Sequence, residues 1–307
     1  MKTCLVGYTG FVGSNLALQH QFTEIYNSKN IEKAFGTQPD LLVYSGVRAE
    51  KFLANQNSEE DFETVKNAFD NIKKIQPKRI VLISTIDVYK KPDNVTEETL
   101  IDTDDLHPYG LNRYYLEQWV EKEFPDSLIV RLPGLFGVNI KKNFLYDFIH
   151  IIPSLLRENK FEELSNKDSL ICDYYIRQDN GFYKCRELSD DERRKLKNYF
   201  NNIGFSALNF TDSRGSFQFY NLNYLWNHIN IALDNRIFKL NLATEPVTIS
   251  EIYRYLTGRE FINEIAPNVP YYNFRTIHDK LYGGQNGYIF TKQKVLEDIK
   301  KFVEEYR

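Results

Sequence analysis

Residues 1–13 read MKTCLVGYTGFVG, and this stretch decides the fold. An uninterrupted run from Thr3 to Val6 leads into Gly7, Gly10 and Gly13, and apolar residues at helical spacing follow. The pattern predicts a buried parallel strand, a tight glycine turn and the start of a helix. Glycine permits the angles of such a turn and lets a phosphate approach the main chain, while the helix N-terminus offers free N–H groups. We expect a pyrophosphate site here, although a Gly-x-x-Gly-x-x-Gly turn without a ligand is the alternative.

Composition excludes several classes of protein. The 307 residues carry 39 Lys and Arg against 42 Asp and Glu, without a basic block, so nucleic acid and anionic membranes are poor candidates as partners. With 42% hydrophobic and 15% aromatic residues, the chain is expected to be globular. Cys4, Cys172 and Cys185 have unrelated spacings and suggest neither a disulfide framework nor a metal site. We find no signal sequence or membrane-spanning run, and therefore expect a cytoplasmic protein.

Strand and helix patterns alternate along the first half of the chain. Strands are predicted at Glu24 to Ser28, Asp40 to Tyr44 and Arg79 to Ser84. Between the last two, Ser58 to Ile75 has helical spacing and acidic residues in its first turn. This alternation predicts a Rossmann-type, doubly wound parallel α/β sheet with ligands at the carboxyl ends of its strands.

Two short stretches bear on a dinucleotide cofactor. At the tip of the second strand, an acidic side chain would hold the adenosine ribose hydroxyls and select NAD. Here the tip is Asn27-Ser28-Lys29, and Lys29 with Ser28 could instead meet a 2′-phosphate. This favours NADP over NAD, with a simply solvated lysine as the alternative. After the third strand, Ser45-Gly46 is a small pair that lets backbone approach a cofactor.

Candidate catalytic residues lie in two places. The fourth strand ends in Ser84-Thr85-Ile86-Asp87-Val88-Tyr89, and a helix opens with His107-Pro108-Tyr109-Gly110-Leu111-Asn112-Arg113. Tyr109 and Arg113 are four residues apart and share one helix face. A cation beside a phenol favours the phenolate, so Tyr109 could act as general acid or base near neutral pH. The hydroxyl of Thr85 could hydrogen-bond the same substrate oxygen.

Together with Arg131 to Gly137 (RLPGLFG), these motifs resemble the extended short-chain dehydrogenase/reductase superfamily, in particular the NAD(P)-dependent epimerases, dehydratases and reductases of nucleotide sugars. The likeness covers residues 1 to about 155 and resumes more loosely from about Ser216. It implies that Tyr109 is the catalytic acid/base and that Thr85 polarises the substrate. The cofactor contacts that it implies are Gly7, Gly10, Phe11, Val12, Gly13, Asn27, Ser28, Ser45, Gly46, Arg113 and Pro133.

Three positions depart from the pattern of that superfamily. Arg113 stands where the family has a lysine, and its planar guanidinium changes the contact that the lysine makes with the nicotinamide ribose. Ile86-Asp87 replaces the adjacent Asp-Glu of the dehydratases, so dehydration is the less expected reaction, and Asp87 is either catalytic or a strand-end residue. Asp61 stands where the family has an asparagine, which would alter the hydrogen bonding behind Tyr109.

The second half of the chain is expected to carry the substrate side. Asn143 is either a contact to the substrate nucleotide or the N-cap of the next helix. Arg275 loosely matches the arginine that similar enzymes use on the substrate diphosphate, with a solvated side chain as the alternative. Asn180-Gly181 predicts a hairpin turn, Ser189 to Glu192 a capping box, and Phe217 to Tyr220 a strand.

These patterns predict three parts of the chain. Residues 1–155 form the NAD(P)-binding Rossmann domain, with strands returning from the C-terminal half. Residues 156–215 form an inserted hairpin–helix segment, read as a lid or interaction lobe or as a passive decoration. Residues 216–307 form a smaller α+β substrate lobe and the closing elements.

We expect an NAD(P)-dependent oxidoreductase or epimerase that moves a hydride to or from a nucleotide-linked sugar. The alternative is a catalytically impaired dinucleotide-binding sensor or scaffold. Arg113 and the insertion favour this alternative, whereas the presence of both Tyr109 and Thr85 argues against it. In similar enzymes, the helices that correspond to Ser58–Ile75 and Tyr109–Phe124 pair in a homodimer. The aromatic residues of these two helices fit such a dimer contact, and they fit packing within one subunit equally well.

Overall fold

The computed structural model describes residues 1–306. In chain order its strands are β1 (Thr3–Val6), β2 (Glu24–Tyr26), β3 (Leu41–Tyr44), β4 (Ile80–Thr85), β5 (Leu128–Leu132), β6 (Gly134–Phe136), β7 (Leu155–Arg157), β8 (Tyr175–Arg177), β9 (Phe182–Cys185), β10 (Ser216–Phe217), β11 (Phe219–Asn221), β12 (Lys239–Asn241) and β13 (Val247–Thr248). Its α-helices are α1 (Phe11–Gln19), α2 (Lys51–Gln56), α3 (Ser58–Ile75), α4 (Pro108–Glu123), α5 (Phe144–His150), α6 (Glu158–Lys167), α7 (Asp190–Asn202), α8 (Leu225–Asp234), α9 (Ile249–Thr257) and α10 (Lys292–Glu305). No helix within these residues is both long and apolar enough to cross a membrane.

Six strands form one parallel sheet in the order β2-β1-β3-β4-β5-β12. The strand order reverses at β1, which lies between β2 and β3. In doubly wound sheets a ligand binds at the carboxyl ends of the strands beside such a reversal. The glycine turn after β1 and Ser45-Gly46 after β3 both lie at that edge of the sheet. The predicted Rossmann-type doubly wound sheet is confirmed.

The sheet has an apolar core on each face because successive strand residues point to opposite sides. On one face, Leu5 and Val43 pack with α1 and α8. On the other, Cys4 and Leu42 pack with α3 and α4. Helix α3 begins and ends where the sequence predicts, and the residues that it buries recur at helical spacing: Val65, Ala68, Ile72 and Ile75.

Smaller sheets lie beyond the main one. Strand β10 pairs antiparallel with β13, and β11 pairs parallel with β6. The predicted hairpin forms β8 and β9, which join β7 in a three-stranded antiparallel sheet. The predicted capping box between Ser189 and Glu192 opens α7. Residues 152–200 form an apolar cluster of their own. Its buried residues are Ile152, Leu156, Phe161, Leu164, Ile171, Tyr174, Tyr175, Leu196, Tyr199 and Phe200.

Two predicted strands differ in the structure, and α2 lies where no element was predicted. Phe217 to Tyr220, predicted as one strand, forms β10 and β11 in two different sheets. Gln218 lies between them, and its buried amide donates to the carbonyl oxygens of Thr244 and Phe274, which holds the chain at the crossing. Strand β2 ends at Tyr26 rather than Ser28.

A buried ion pair joins the centre of the sheet to α4. Arg131 on β5 and Glu117 on α4 have 1% and 0% of their side chains exposed, with 2.6 Å between guanidinium nitrogen and carboxylate oxygen. Ser84 on β4 donates its hydroxyl to the same carboxylate, and Arg131 donates to the Tyr89 hydroxyl at 2.6 Å. Since each charge has a partner, the attraction between the charges and their hydrogen bonds offset the large desolvation cost of burying them.

Removing one partner should be strongly destabilising. We expect Glu117→Ala to lower the free energy of unfolding by about 3 to 5 kcal/mol, because Arg131 is left buried without a counter-charge. The control is Glu304→Ala on α10, where the pair with Lys300 is exposed and the change should stay within about 0.5 kcal/mol. Urea unfolding of both variants measures the difference, and equal effects would contradict the role given to the buried pair.

Candidate active site

The turn between β1 and α1 brings three backbone segments into contact. Gly7 has a positive φ of 93°, and its N–H donates to the carbonyl oxygen of Tyr26 at 2.7 Å. A Cβ at Gly7 would collide with the backbone of Ser45, and a Cβ at Gly13 would collide with the carbonyl of Gly7. Both positions therefore need glycine for the packing of β1, β3 and α1 alone, whether or not a ligand binds.

The N-terminus of α1 fits an anionic ligand. Gly10 is its N-cap residue, no side chain caps the helix, and its first turn holds no acidic residue. The N–H groups of Phe11, Val12 and Gly13 have no partner within the helix, since these positions precede its first i to i−4 hydrogen bond. Together with the positive end of the helix dipole, these donors suit the pyrophosphate of a dinucleotide.

The tip of β2 presents neutral and basic groups to solvent. The side-chain oxygen of Asn27 accepts the N–H of Lys29 at 2.9 Å, which closes the turn, and Ser28 and Lys29 are exposed. The nearest carboxylate on the strand, Glu24, accepts hydrogen from the Tyr26 hydroxyl at 3.0 Å and pairs with Lys2.

Helix α4 carries Tyr109 to the end of β4. His107 caps the helix, with its Nδ1 accepting the N–H of Gly110 at 3.0 Å. Gly110 packs on the carbonyl of Asp87 so closely that a Cβ would collide with it. This contact holds the helix start against the strand end and brings the Tyr109 side chain near Thr85, which lowers the pKa of Tyr109 as a hydrogen-bonding neighbour. The two candidate catalytic residues are thus neighbours.

Arg113 is buried behind Tyr109 and firmly held. Its guanidinium pairs with Asp61 and donates to the carbonyl oxygens of Arg48 and Tyr109 at 2.6 and 3.2 Å. The guanidinium carbon lies 3.9 Å from the centre of the Tyr109 ring. Asp61 also accepts hydrogen from Asn112 at 2.8 Å. The two departures at Arg113 and Asp61 are therefore partners in one ion pair.

The environment of Tyr109 favours the protonated phenol. Burial raises its pKa above the ordinary value, and the charges of Asp87 and Asp61 act in the same direction. Arg113 and the hydrogen bond with Thr85 lower the pKa, but burial outweighs them. Arg113 favours the phenolate, as expected from the sequence, but the desolvation cost of a phenolate at this buried position is larger than the attraction of the arginine.

Asp87 is the centre of a second polar cluster. Its Oδ1 accepts hydrogen from Lys51 Nζ at 2.8 Å and from the Tyr272 hydroxyl at 3.0 Å. Its N–H donates to Thr85 Oγ1 at 3.2 Å. Burial raises the pKa of Tyr272, and the Asp87 carboxylate adds to that effect. Burial also lowers the pKa of His107, with Lys51 contributing, so the imidazole is neutral and can accept at Nδ1.

A cavity of about 380 Å³ opens beside these residues. Its size is within the range of small-molecule sites. Its lining is mainly apolar, with a few hydroxyl, amide and carboxylate side chains: Thr85, Ile86, Asp87, Leu132, Pro133, Gly134, Asn143, Phe144, Asp147, Thr211, Phe217, Gln218, Phe219, Ile249 and Tyr272. The carboxyl end of β4, the β5–β6 connection and α5 therefore share one cavity.

Asn143 is the N-cap residue, one of the two roles considered for it in the sequence, and the contact to a substrate nucleotide stays a prediction. It caps α5, accepting the N–H groups of Leu145 and Tyr146 at 3.0 and 3.3 Å, and it also lines the cavity. Its φ of 108° is unusual for a residue other than glycine. Its amide nitrogen donates to the carbonyl of Leu135 at 2.8 Å. A strained residue held in this way is typical of functional sites.

Arg275 lies outside the lining of this cavity. Its guanidinium donates to the side chain of Asn94 at 3.2 Å and to the carbonyl of Asn286 at 2.6 Å, and it stacks on the Tyr288 ring. These contacts tie three loops together, and a role on a substrate diphosphate stays a prediction.

Three residues of the site were missed in the sequence: Lys51, Asp147 and Tyr272. Lys51 lies in the unpredicted α2, and Tyr272 lies in a stretch without regular structure that folds back onto β4 only in three dimensions. Asp147 had a local signal, since it is an acidic residue within the otherwise apolar run Phe144 to Ile149.

Asp61→Asn should lower the pKa of Tyr109. The change removes a charge that raises this pKa and leaves the nearby Arg113 charge, which lowers it, without its counter-ion. Titration of tyrosine Cζ signals by NMR measures the shift, with Tyr109→Phe identifying the resonance. An unchanged or higher pKa would contradict the electrostatic role given to the Arg113–Asp61 pair.

Comparison with known proteins places these features in a family. The family model described as "NAD dependent epimerase/dehydratase family" matches residues 3–168, more than half of the chain. No curated protein sequence matches this chain.

Solved structures of low sequence identity share the fold over nearly the whole chain. A UDP-glucose 4-epimerase from Thermotoga maritima, solved with UDP-glucose, has a TM-score of 0.64 at 13% identity and covers 100% of this chain and 99% of its own. A dTDP-4-dehydrorhamnose reductase from Bacillus anthracis, in complex with NADP, has a TM-score of 0.63 at 14% identity and covers 99% of both chains. A short-chain dehydrogenase/reductase superfamily protein from Agrobacterium tumefaciens, with bound NAD, has a TM-score of 0.60 at 15% identity and covers 99% of this chain and 97% of its own.

At these identities the structural likeness establishes the fold, while the family model establishes the relationship. The resemblance inferred from the motifs is confirmed. The chain belongs to the NAD-dependent epimerase/dehydratase family.

Proposed function

We propose that this protein is an NADP-dependent reductase or epimerase of a nucleotide-linked sugar, with Tyr109 as its acid/base. The observation that carries the proposal is the position of Tyr109 beside Thr85, a residue that lines the cavity and acts on the Tyr109 pKa. This pair lies at the same sheet edge as the uncapped N-terminus of α1, so a dinucleotide bound there would reach the cavity.

The residues of the glycine turn would hold the cofactor. Backbone N–H groups of Phe11, Val12 and Gly13 would contact its diphosphate, and the open backbone at Ser45-Gly46 and Pro133 would lie along it. Such a cofactor supplies or accepts the hydride, while the protein supplies orientation and proton transfer.

The protonation state of Tyr109 favours reduction of a carbonyl group. Tyr109, like an ordinary tyrosine, carries its proton at neutral pH, and burial raises its pKa further, so the phenol is the form available to donate a proton to a substrate oxygen. Thr85 would hold the same oxygen in place. In the oxidative direction the phenol would have to lose its proton first, which burial makes less favourable. We therefore favour a ketone-reducing step over alcohol oxidation.

Tyr109→Phe tests the proton transfer. We expect turnover to fall by about 10² to 10⁴, the usual contribution of a general acid, while NADPH affinity stays close to that of the wild type. The matched control is Tyr115→Phe, on the same helix, whose ring packs against Phe62 and Trp119 and not beside Thr85. Oxidation of NADPH with a panel of nucleotide-linked keto sugars measures the rates. Unchanged turnover in Tyr109→Phe would refute the assignment.

Lys29→Ala tests the choice of cofactor. Lys29 is exposed at the tip of β2, where it could meet a 2′-phosphate, so its loss should weaken NADPH binding and leave NADH binding unchanged. Lys33→Ala, an exposed lysine in the next turn, is the control. Fluorescence titration measures the affinities. Equal losses for NADPH and NADH would contradict the preference for NADP.

The second candidate function is a dinucleotide-binding sensor or scaffold. The observation that favours it is the engagement of Arg113, whose hydrogen bonds go to Asp61 and to two backbone carbonyls. A protein that binds NADPH but turns over no member of the substrate panel would favour this reading.

We also propose a homodimer through α3 and α4. Phe62, Tyr115 and Trp119 are partly exposed there and pack edge-on or stacked against one another, with ring centres 5.8 to 6.2 Å apart. An aromatic surface of this kind is suited to a second copy of the chain.

A further inference from the structure

We propose that Asp147 binds a positively charged amino group on the sugar of the substrate, so that the substrate is an amino sugar. This inference rests on the proposed function, because Asp147 lines the cavity that contains Thr85 and Asp87. It concerns the substrate wall formed by α5, away from the glycine turn.

The backbone of Asp147 is hydrogen-bonded within α5, but its side chain has no partner. Its N–H donates to the carbonyl of Asn143 at 3.1 Å in the first turn of α5. Within residues 1–306 its carboxylate takes part in no hydrogen bond or ion pair. The other carboxylate of the cavity, Asp87, is already paired with Lys51 and Tyr272. Asp147 is therefore the acidic group of this wall whose charge the described chain does not balance.

No cation of the described chain pairs with the Asp147 carboxylate. The described residues that line the cavity include no lysine, arginine or histidine. On the neighbouring α7, Arg193 and Lys197 act on His150, and Arg193 acts on Tyr146. Neither of these cations affects Asp147, for which burial alone raises the pKa to about 7.

Asp147 is half-buried, and burial raises its pKa, so the charged form is harder to reach here than in water. A ligand that stabilises the charged form would offset that cost. An ammonium group would supply the missing counter-charge and the hydrogen bonds together. A phosphate would be repelled, so a substrate diphosphate must lie away from this wall. A metal ion has too few ligands here, since no group of three or more His, Cys, Asp or Glu in residues 1–306 is arranged to hold one. A hydroxyl group would form a hydrogen bond but leave the charge uncompensated.

The test compares D-glucosamine with D-glucose, which differ in having an ammonium or a hydroxyl group at one carbon. With NADPH present at pH 7, we expect isothermal titration to show glucosamine binding about tenfold more tightly than glucose. Asp147→Asn keeps the shape and hydrogen-bonding capacity but removes the charge, and should abolish the difference. Asp126→Asn, the same change at an exposed turn, should preserve it.

Two outcomes would overturn the inference: equal affinities for the two sugars in the wild type, or a preference for glucosamine that survives in Asp147→Asn. If Asp147→Asn does not fold, Asp147→Ser serves as the neutral variant. Failure of the proposed function would be seen in other experiments: the protein would not bind NADPH, or Tyr109→Phe would turn over substrate at the wild-type rate. Neither of those depends on which sugar binds.

Discussion

The ion pair between Arg131 and Glu117 is the interaction on which the site depends. It joins β5 to α4 inside the protein, and Ser84 on β4 donates to the same carboxylate. Thr85 directly follows Ser84, and Tyr109 lies two turns before Glu117 on α4. The pair therefore fixes the distance between the two candidate catalytic residues. A buried pair of this kind contributes more to a unique geometry than to net stability, because its Coulomb energy is largely offset by desolvation.

A second buried pair changes the chemistry behind Tyr109. A lysine at position 113 would be a compact, mobile charge, whereas Arg113 is planar and held by Asp61 and two carbonyl oxygens. Asp61 compensates the charge of Arg113 and thereby reduces its effect on the tyrosine. Burial then dominates the pKa of Tyr109 and keeps the phenol protonated. The phenol, the form that can donate a proton to a substrate oxygen, is therefore the resting form of Tyr109.

The two ends of the site have opposite electrostatic character. The N-terminus of α1 offers unpaired N–H donors and a partial positive charge, which suit a diphosphate. The wall formed by α5 offers the unpaired carboxylate of Asp147 among apolar side chains. A cofactor and a substrate of different charge would thus each find one favourable end, and the same asymmetry would discourage binding in the reverse orientation.

The sequence alone determined the doubly wound sheet, the glycine turn and the approximate position of Tyr109 and Thr85, because these depend on local patterns: apolar runs, helical spacing and glycine positions. It also identified Arg113 and Asp61 as unusual, but their direct pairing became evident only when α3 packed on α4. The neighbours of Asp87 come from α2 and from a loop far along the chain, so spacing could not reveal them. The pKa of Tyr109 likewise required the structure, since burial is a property of the packed molecule. Tertiary packing also left Asp147 facing the cavity without a partner, and no sequence pattern records whether a charge is balanced.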